Sequence, residues 1–180
     1  MYYALGTFVK PSFGTAGSEA RATGKRCSVK YALILLSALL VAACGGLSKE
    51  QQATTYSAIA NKYNTAIDQA EAVYEAAIDV ATTDDDGLLA ITELYSTYAG
   101  IDRIFADELA EAAWSSEFEA KVGNLIDCTN EVYLLEIDVA LATELQEAID
   151  LSDVADEKMG ACGLIVDELR SSLGLPPAPQ

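Results

Sequence analysis

SKEQQATTYSAIANKYNTAIDQAEAVYEAAIDVA, residues 48–81, reads as one long helix. Tyr56, Ala60, Tyr63, Ile67, Ala70, Tyr74, Ala77 and Ala81 recur at alternating steps of four and three. That spacing draws a single apolar stripe along a helix of about 3.6 residues per turn. Small alanines alternate with tyrosines along the stripe, which suits close packing with aromatic filling. One helix cannot bury such a stripe alone, so partners must follow in the chain.

They do. Thr82-Thr83-Asp84-Asp85-Asp86-Gly87 breaks the pattern, and its acids favour the N-terminal dipole of a second helix. That helix is expected from about Leu88 to Trp114, with Ile91, Leu94, Tyr98, Ile101, Phe105 and Leu109 inward. Ser116-Glu117-Phe118-Glu119 has the form of a capping box and predicts a third start. Phe118, Val122, Leu125, Val132 and Leu135 carry the third stripe, with apolar residues continuing toward Ile149. A last helix holds Val154, Ile165, Val166, Leu169 and Leu173, and Gly174 with Pro176-Pro177 stops it. No proline interrupts residues 44–175, and alternating strand patterns are absent. The expected fold is all-α: an antiparallel bundle, four helices, over residues 50–174. Residues 175–180 are expected to form a flexible tail.

Upstream, residues 30–46 read KYALILLSALLVAACGG. A lysine precedes thirteen uncharged residues, 31–43, and Lys25 and Arg26 extend the positive flank. Thirteen helical residues span about 20 Å, short of the roughly 30 Å hydrocarbon core. The segment therefore reads as a signal h-region and not as a permanent span. Val41-Ala42-Ala43-Cys44 resembles the lipobox of bacterial lipoprotein signal peptides: an aliphatic residue at −3, small residues at −2 and −1, cysteine at +1. The resemblance implies export, cleavage before Cys44 and lipidation of its sulfur. Gly45 at +2 implies sorting to the outer membrane where the cell has two membranes. With one membrane, it implies the outer face of the cytoplasmic membrane. Residues 29–43 are then the signal peptide and 44–49 the lipidated cysteine and tether. Residues 1–28 lack periodicity and contain several helix breakers, and we expect them to be a leader from a misassigned start, translation beginning at Val29.

The charge divides at the same boundary. Residues 1–43 carry five bases and one acid; residues 44–180 carry six bases and 27 acids. A net charge of −21 on the mature part opposes binding to nucleic acid or anionic lipid headgroups. Two cysteines remain beyond Cys44: Cys128 and Cys162. In an exported protein such a pair commonly forms a disulfide. A straight hairpin turning at Ser152 would put them roughly 20 Å apart in height, whereas a disulfide needs Cα atoms within about 7 Å. Pairing wants a turn near residue 145, where Thr143-Glu144-Leu145-Gln146 offers another capping box. Otherwise the third helix breaks near residues 123–130, or the thiols stay apart.

There is no histidine. That excludes histidine-based triads, histidine-ligated zinc and the Glu-x-x-His pairs of di-iron bundles. There is no glycine-rich phosphate loop and no Cys-x-x-Cys. Residues 82–93, TTDDDGLLAITE, resemble a calcium-binding EF-hand loop, with Asp84, Asp86 and Glu93 at positions 3, 5 and 12. Position 1 is Thr82 and position 9 is Ala90, and the competing reading is an acidic turn with Asp85 or Asp86 capping the next helix. Tyr56, Tyr63, Tyr74, Tyr95, Tyr98 and Tyr133 either fill the core or line a groove for an apolar ligand or partner helix. The sequence thus points to a membrane-anchored, non-catalytic cell-envelope lipoprotein with an acidic helical domain. A calcium- or small-ligand-binding accessory role is the alternative, and no other cofactor is implied.

Overall fold

A computed structural model describes residues 47–178. Val41, Ala42, Ala43 and Cys44 lie outside the described residues, as do the segments 1–28 and 29–43. Among the described residues four helices follow one another: α1 (Lys49–Ile78), α2 (Asp84–Glu111), α3 (Ser116–Ala140) and α4 (Leu145–Leu173). Each packs on the next, α4 also touches α1 and α2, and no strand occurs among the described residues. The expected all-α four-helix bundle is the fold.

The helix ends show how local chemistry sets the boundaries. The Ser48 hydroxyl accepts from the Gln51 N–H at 3.3 Å, and the Gln51 side chain accepts from the Ser48 N–H at 2.8 Å. This reciprocal cap starts α1 where the sequence placed it. α1 stops at Ile78, so Val80 and Ala81 belong to the turn and not to the helix. α2 begins four residues before the expected Leu88, because Thr83 is its cap: the Thr83 hydroxyl accepts from the Asp86 N–H and Asp86 Oδ2 accepts from the Thr83 N–H. At α3 the cap is Ser115, one residue before the expected Ser116, and its side chain does not bond the helix. The expected Thr143 box is also absent: Glu144 is the N-cap without a side-chain bond, and the Thr143 N–H donates to Glu147 at 3.1 Å. α4 ends at Gly174, whose φ of +76° is the left-handed conformation that glycine adopts without penalty.

The turn between α3 and α4 covers residues 141–144, which resolves the height problem at the cysteines. Cys128 on α3 and Cys162 on α4 are bonded, with Cα atoms 5.8 Å apart. Helix α3 runs unbroken through 123–130, and Ile149 moves from the expected third helix into α4. Val154, expected inward, is about half exposed.

The core has two apolar parts. One gathers Tyr56, Phe105, Leu109, Phe118, Val122, Leu125, Val166 and Leu169 at the end where α1 begins. The other gathers Ala70, Leu94, Tyr98, Val139, Ala148 and Ala155 toward the opposite end. The disulfide and Val132 form a small cluster of their own. Three ion pairs, Lys62–Glu108, Lys121–Glu168 and Lys158–Glu131, link neighbouring helices at solvent-exposed positions, where such pairs contribute little. Residues 175–178, expected to be flexible, are held: the buried Arg170 donates to the Pro176 and Pro177 carbonyls, and the Ala178 N–H donates to Asp167.

Candidate functional site

Polar side chains interrupt the helix seams in the middle of the bundle. On α2 the inward register runs Tyr95, Tyr98, Asp102, Phe105, Leu109, so Asp102 takes a core position. On α3 it runs Phe118, Val122, Leu125, Thr129, Val132, Glu136, Val139, and Glu136 does the same. Asp102 is 2% exposed and Glu136 is 0% exposed. Among the described residues no cation answers either carboxyl, and Oδ1 of Asp102 and both carboxyl oxygens of Glu136 have no hydrogen-bond partner.

The electrostatics follow from that burial. Loss of water raises the Asp102 carboxyl well above its ordinary range, against the opposing effect of the Tyr63 hydroxyl beside it. Burial raises Glu136 further, reinforced by the negative charges of Asp102 and Asp156. Such groups keep protons near neutrality instead of standing as bare charges. One tyrosine stands beside Asp102, and two others bond half-buried acids. Tyr63 on α1 turns its hydroxyl toward Asp102, and burial holds that phenol well above its usual range. The Tyr95 hydroxyl donates to Asp156 at 3.0 Å, and the Tyr98 hydroxyl donates to Glu71 at 3.4 Å. Burial raises Asp156 and Glu71 as well. Tyr63 also packs on Phe105 with ring centroids 4.6 Å apart.

This arrangement favours the protonated form of two carboxyls inside a closed bundle. It does not present an acid and a base to a cleft, because the two carboxyls are sealed from solvent. The seam positions carried the signal for it: a step of four from Tyr98 lands on Asp102, and a step of four from Val132 lands on Glu136.

The other sequence-derived candidates fall elsewhere. Asp84, Asp86 and Glu93 all lie within α2 and not in a loop. At 100° per residue, Asp84 faces away from Asp86 and Glu93, so the three do not converge. The Asp86 carboxylate is taken up by the Thr82 and Thr83 N–H groups and the Thr82 hydroxyl, and these bonds hold it below its usual range. Among the described residues no group of three or more Asp, Glu, His or Cys is placed to hold a metal ion. Of the tyrosines, Tyr56, Tyr95 and Tyr98 are buried, while Tyr63, Tyr74 and Tyr133 are half-buried. Burial pushes the Tyr56 phenol up to about 12, partly countered by Arg170 beside it.

A groove opens on the surface between α1 and α2. It is an open depression of about 760 Å³, lined by Ala70, Val73, Tyr74 and Ala77 with the polar Gln69, Ser96 and Thr97 among others. Among the described residues that line it, Glu93 alone is charged. No protein-family model matches the chain, and neither a curated protein nor a solved structure matches it.

Proposed function

We propose that the chain is an exported, lipid-anchored protein of the cell envelope whose helical domain is a non-catalytic binding or structural module. The observation that carries this reading is the position of the fold relative to Cys44. Helix α1 begins at Lys49 behind the Ser48 cap, five residues after the cysteine of the lipobox-like stretch. A lipid on Cys44 would therefore hold the bundle close to the membrane.

The Cys128–Cys162 bond supports the same location, since such bonds persist in oxidising compartments. Among the described residues no helix is long and apolar enough to cross a membrane. The sealed carboxyls and the absence of histidine support a non-catalytic role. Gly45 favours the outer membrane in a two-membrane cell. The alternative reading, a ligand-binding accessory protein, is favoured in its small-apolar-ligand form by the α1/α2 groove. The calcium form has only the diverging Asp84, Asp86 and Glu93 behind it.

Detergent phase partitioning tests the anchor. Wild type expressed in a bacterium should enter the detergent phase and Cys44→Ser should remain aqueous. Equal partitioning of both into the aqueous phase would overturn the lipoprotein reading.

A further inference from the structure

The bundle is electrically polar along its axis. The six basic residues beyond Cys44 are Lys49, Lys62, Arg103, Lys121, Lys158 and Arg170. Hairpin topology places them at the middle of the bundle or in the half that contains the start of α1 and the end of α4. The stretches 63–102 and 122–157 contain no lysine or arginine and carry 19 of the 27 acids. The α1–α2 and α3–α4 hairpins fold these stretches together at the far end. α1 rises about 45 Å, so this end stands well away from the point where Cys44 joins the bundle. Two carboxyls, Asp102 and Glu136, are buried; most of the remaining acids are at the surface.

The apolar groove lies in this same half. Val73 at its edge is 70% exposed, and Val80 and Leu89 near the α1–α2 turn are 74% and 57% exposed. Small residues on both helices, Ala66, Ala70 and Ala77 against Ala90 and Thr97, let an inserted side chain approach the backbone. A second copy of this chain would bring a second base-free end against the first, and an anionic membrane surface is repelled for the same reason. A cationic partner with apolar anchors satisfies both features at once.

We infer that the α1/α2 groove in the base-free half docks a lysine- or arginine-rich amphipathic helix of a partner protein. The apolar face of that helix seats against Val73, Tyr74 and Ala77, in the manner of helix-in-groove recognition. Its basic face meets the surrounding carboxylates, which accelerate encounter and reject acidic competitors. The inference rests on the reading of the domain as a binding module cleaved before Cys44, since residues 1–43 carry five further bases; the lipid itself plays no part in it.

The test uses the full chain as a bacterium processes it, purified in non-ionic detergent. The probe is a labelled synthetic helix of about 18 residues with a leucine face and a lysine face. Its control keeps every lysine and replaces the leucines with serine. Fluorescence anisotropy in about 150 mM salt should give binding to the leucine peptide at least tenfold tighter than to the serine peptide. Thr97→Trp, which fills the groove, and Val73→Ser, at an exposed position that cannot unfold the bundle, should each weaken the leucine peptide several-fold. Neither should alter the serine peptide. Equal binding of the two peptides would mean that charge alone acts and would overturn the inference. So would unchanged binding in both variants. Sedimentation showing a wild-type dimer that Val73→Ser dissociates would assign the groove to a second copy instead. Because Cys44→Ser partitioning reads the anchor separately, failure here leaves the location of the protein undisturbed.

Discussion

Replacing the two buried carboxyls by their amides, Asp102→Asn with Glu136→Gln, should make the protein resistant to alkali. Burial raises the folded-state carboxyls from 3.8 to about 7 at Asp102 and from 4.5 to about 9 at Glu136. In the unfolded chain both return to the ordinary carboxyl range. Between those values the folded protein binds protons that the unfolded chain has released. Stability is therefore fully present only below the unfolded values, about pH 4, and is lost as pH rises from there through the folded values. Each tenfold change in a carboxyl's acidity corresponds to about 1.4 kcal/mol. Ionisation of the core will draw water inward and raise the local dielectric, so only part of that free energy is expressed. A loss on the order of 3 kcal/mol between pH 5 and pH 9 remains, a large fraction of a typical stability of about 5–15 kcal/mol. The groups facing the pair are Tyr63 from α1 and Asp156 from α4, neither of them a cation. Urea unfolding at pH 5.5, 7.5 and 9 measures the effect. The many surface carboxylates repel equally in both proteins, so the difference between wild type and double variant isolates the core. The double variant should lose little of what the wild type loses. Parallel stability curves across this range would refute the assignment of Asp102 and Glu136 as proton-holding core residues.

Other features give simpler outcomes. Cys128→Ser with Cys162→Ser opens a loop with a sequence separation of 34 and should cost about 3–4 kcal/mol, read as a lower melting temperature that reductant reproduces in wild type. Gln52, 1% exposed, donates to the Leu47 carbonyl and the Ser115 hydroxyl and accepts from the Ser115 N–H. Gln52→Leu strands those groups where the start of α1 meets the α2–α3 turn, and chemical denaturation should show a loss of about 2 kcal/mol. Gly174→Ala forces a Cβ onto a φ of +76° and should cost about 1 kcal/mol in the same assay.

How far the sequence disclosed the fold depended on periodicity. The alternating four-and-three seam of α1 was enough to demand partners, and the apolar seams of α2 and α3 supplied them. Boundaries were harder because hydroxyls flank the starts of α3 and α4 and none of them bonds the helix there. Ser115 and Ser116 are adjacent, and the one that caps is decided by Gln52 reaching across from α1 to bond Ser115, a tertiary contact with no local signature. The α3–α4 turn was recoverable only by asking where Cys128 and Cys162 could meet. Asp102 and Glu136 do not stand out along the chain because an acid in a helical stretch usually faces water; their place in the seam register was the available sign. The base-free end of the bundle is invisible along the chain, since it arises when two separate stretches are folded against each other. Cys44 and the lipobox-like residues lie outside the described residues, so their role stands on the sequence alone.

That role is best tested by the intact mass of the mature protein from bacterial membranes. Lipid anchoring predicts a chain beginning at Cys44 and carrying a diacylglyceryl-sized increment, with no such species from Cys44→Ser. A chain that retains residues 30–43 and carries no added mass would contradict it, and those residues would then belong to the folded protein.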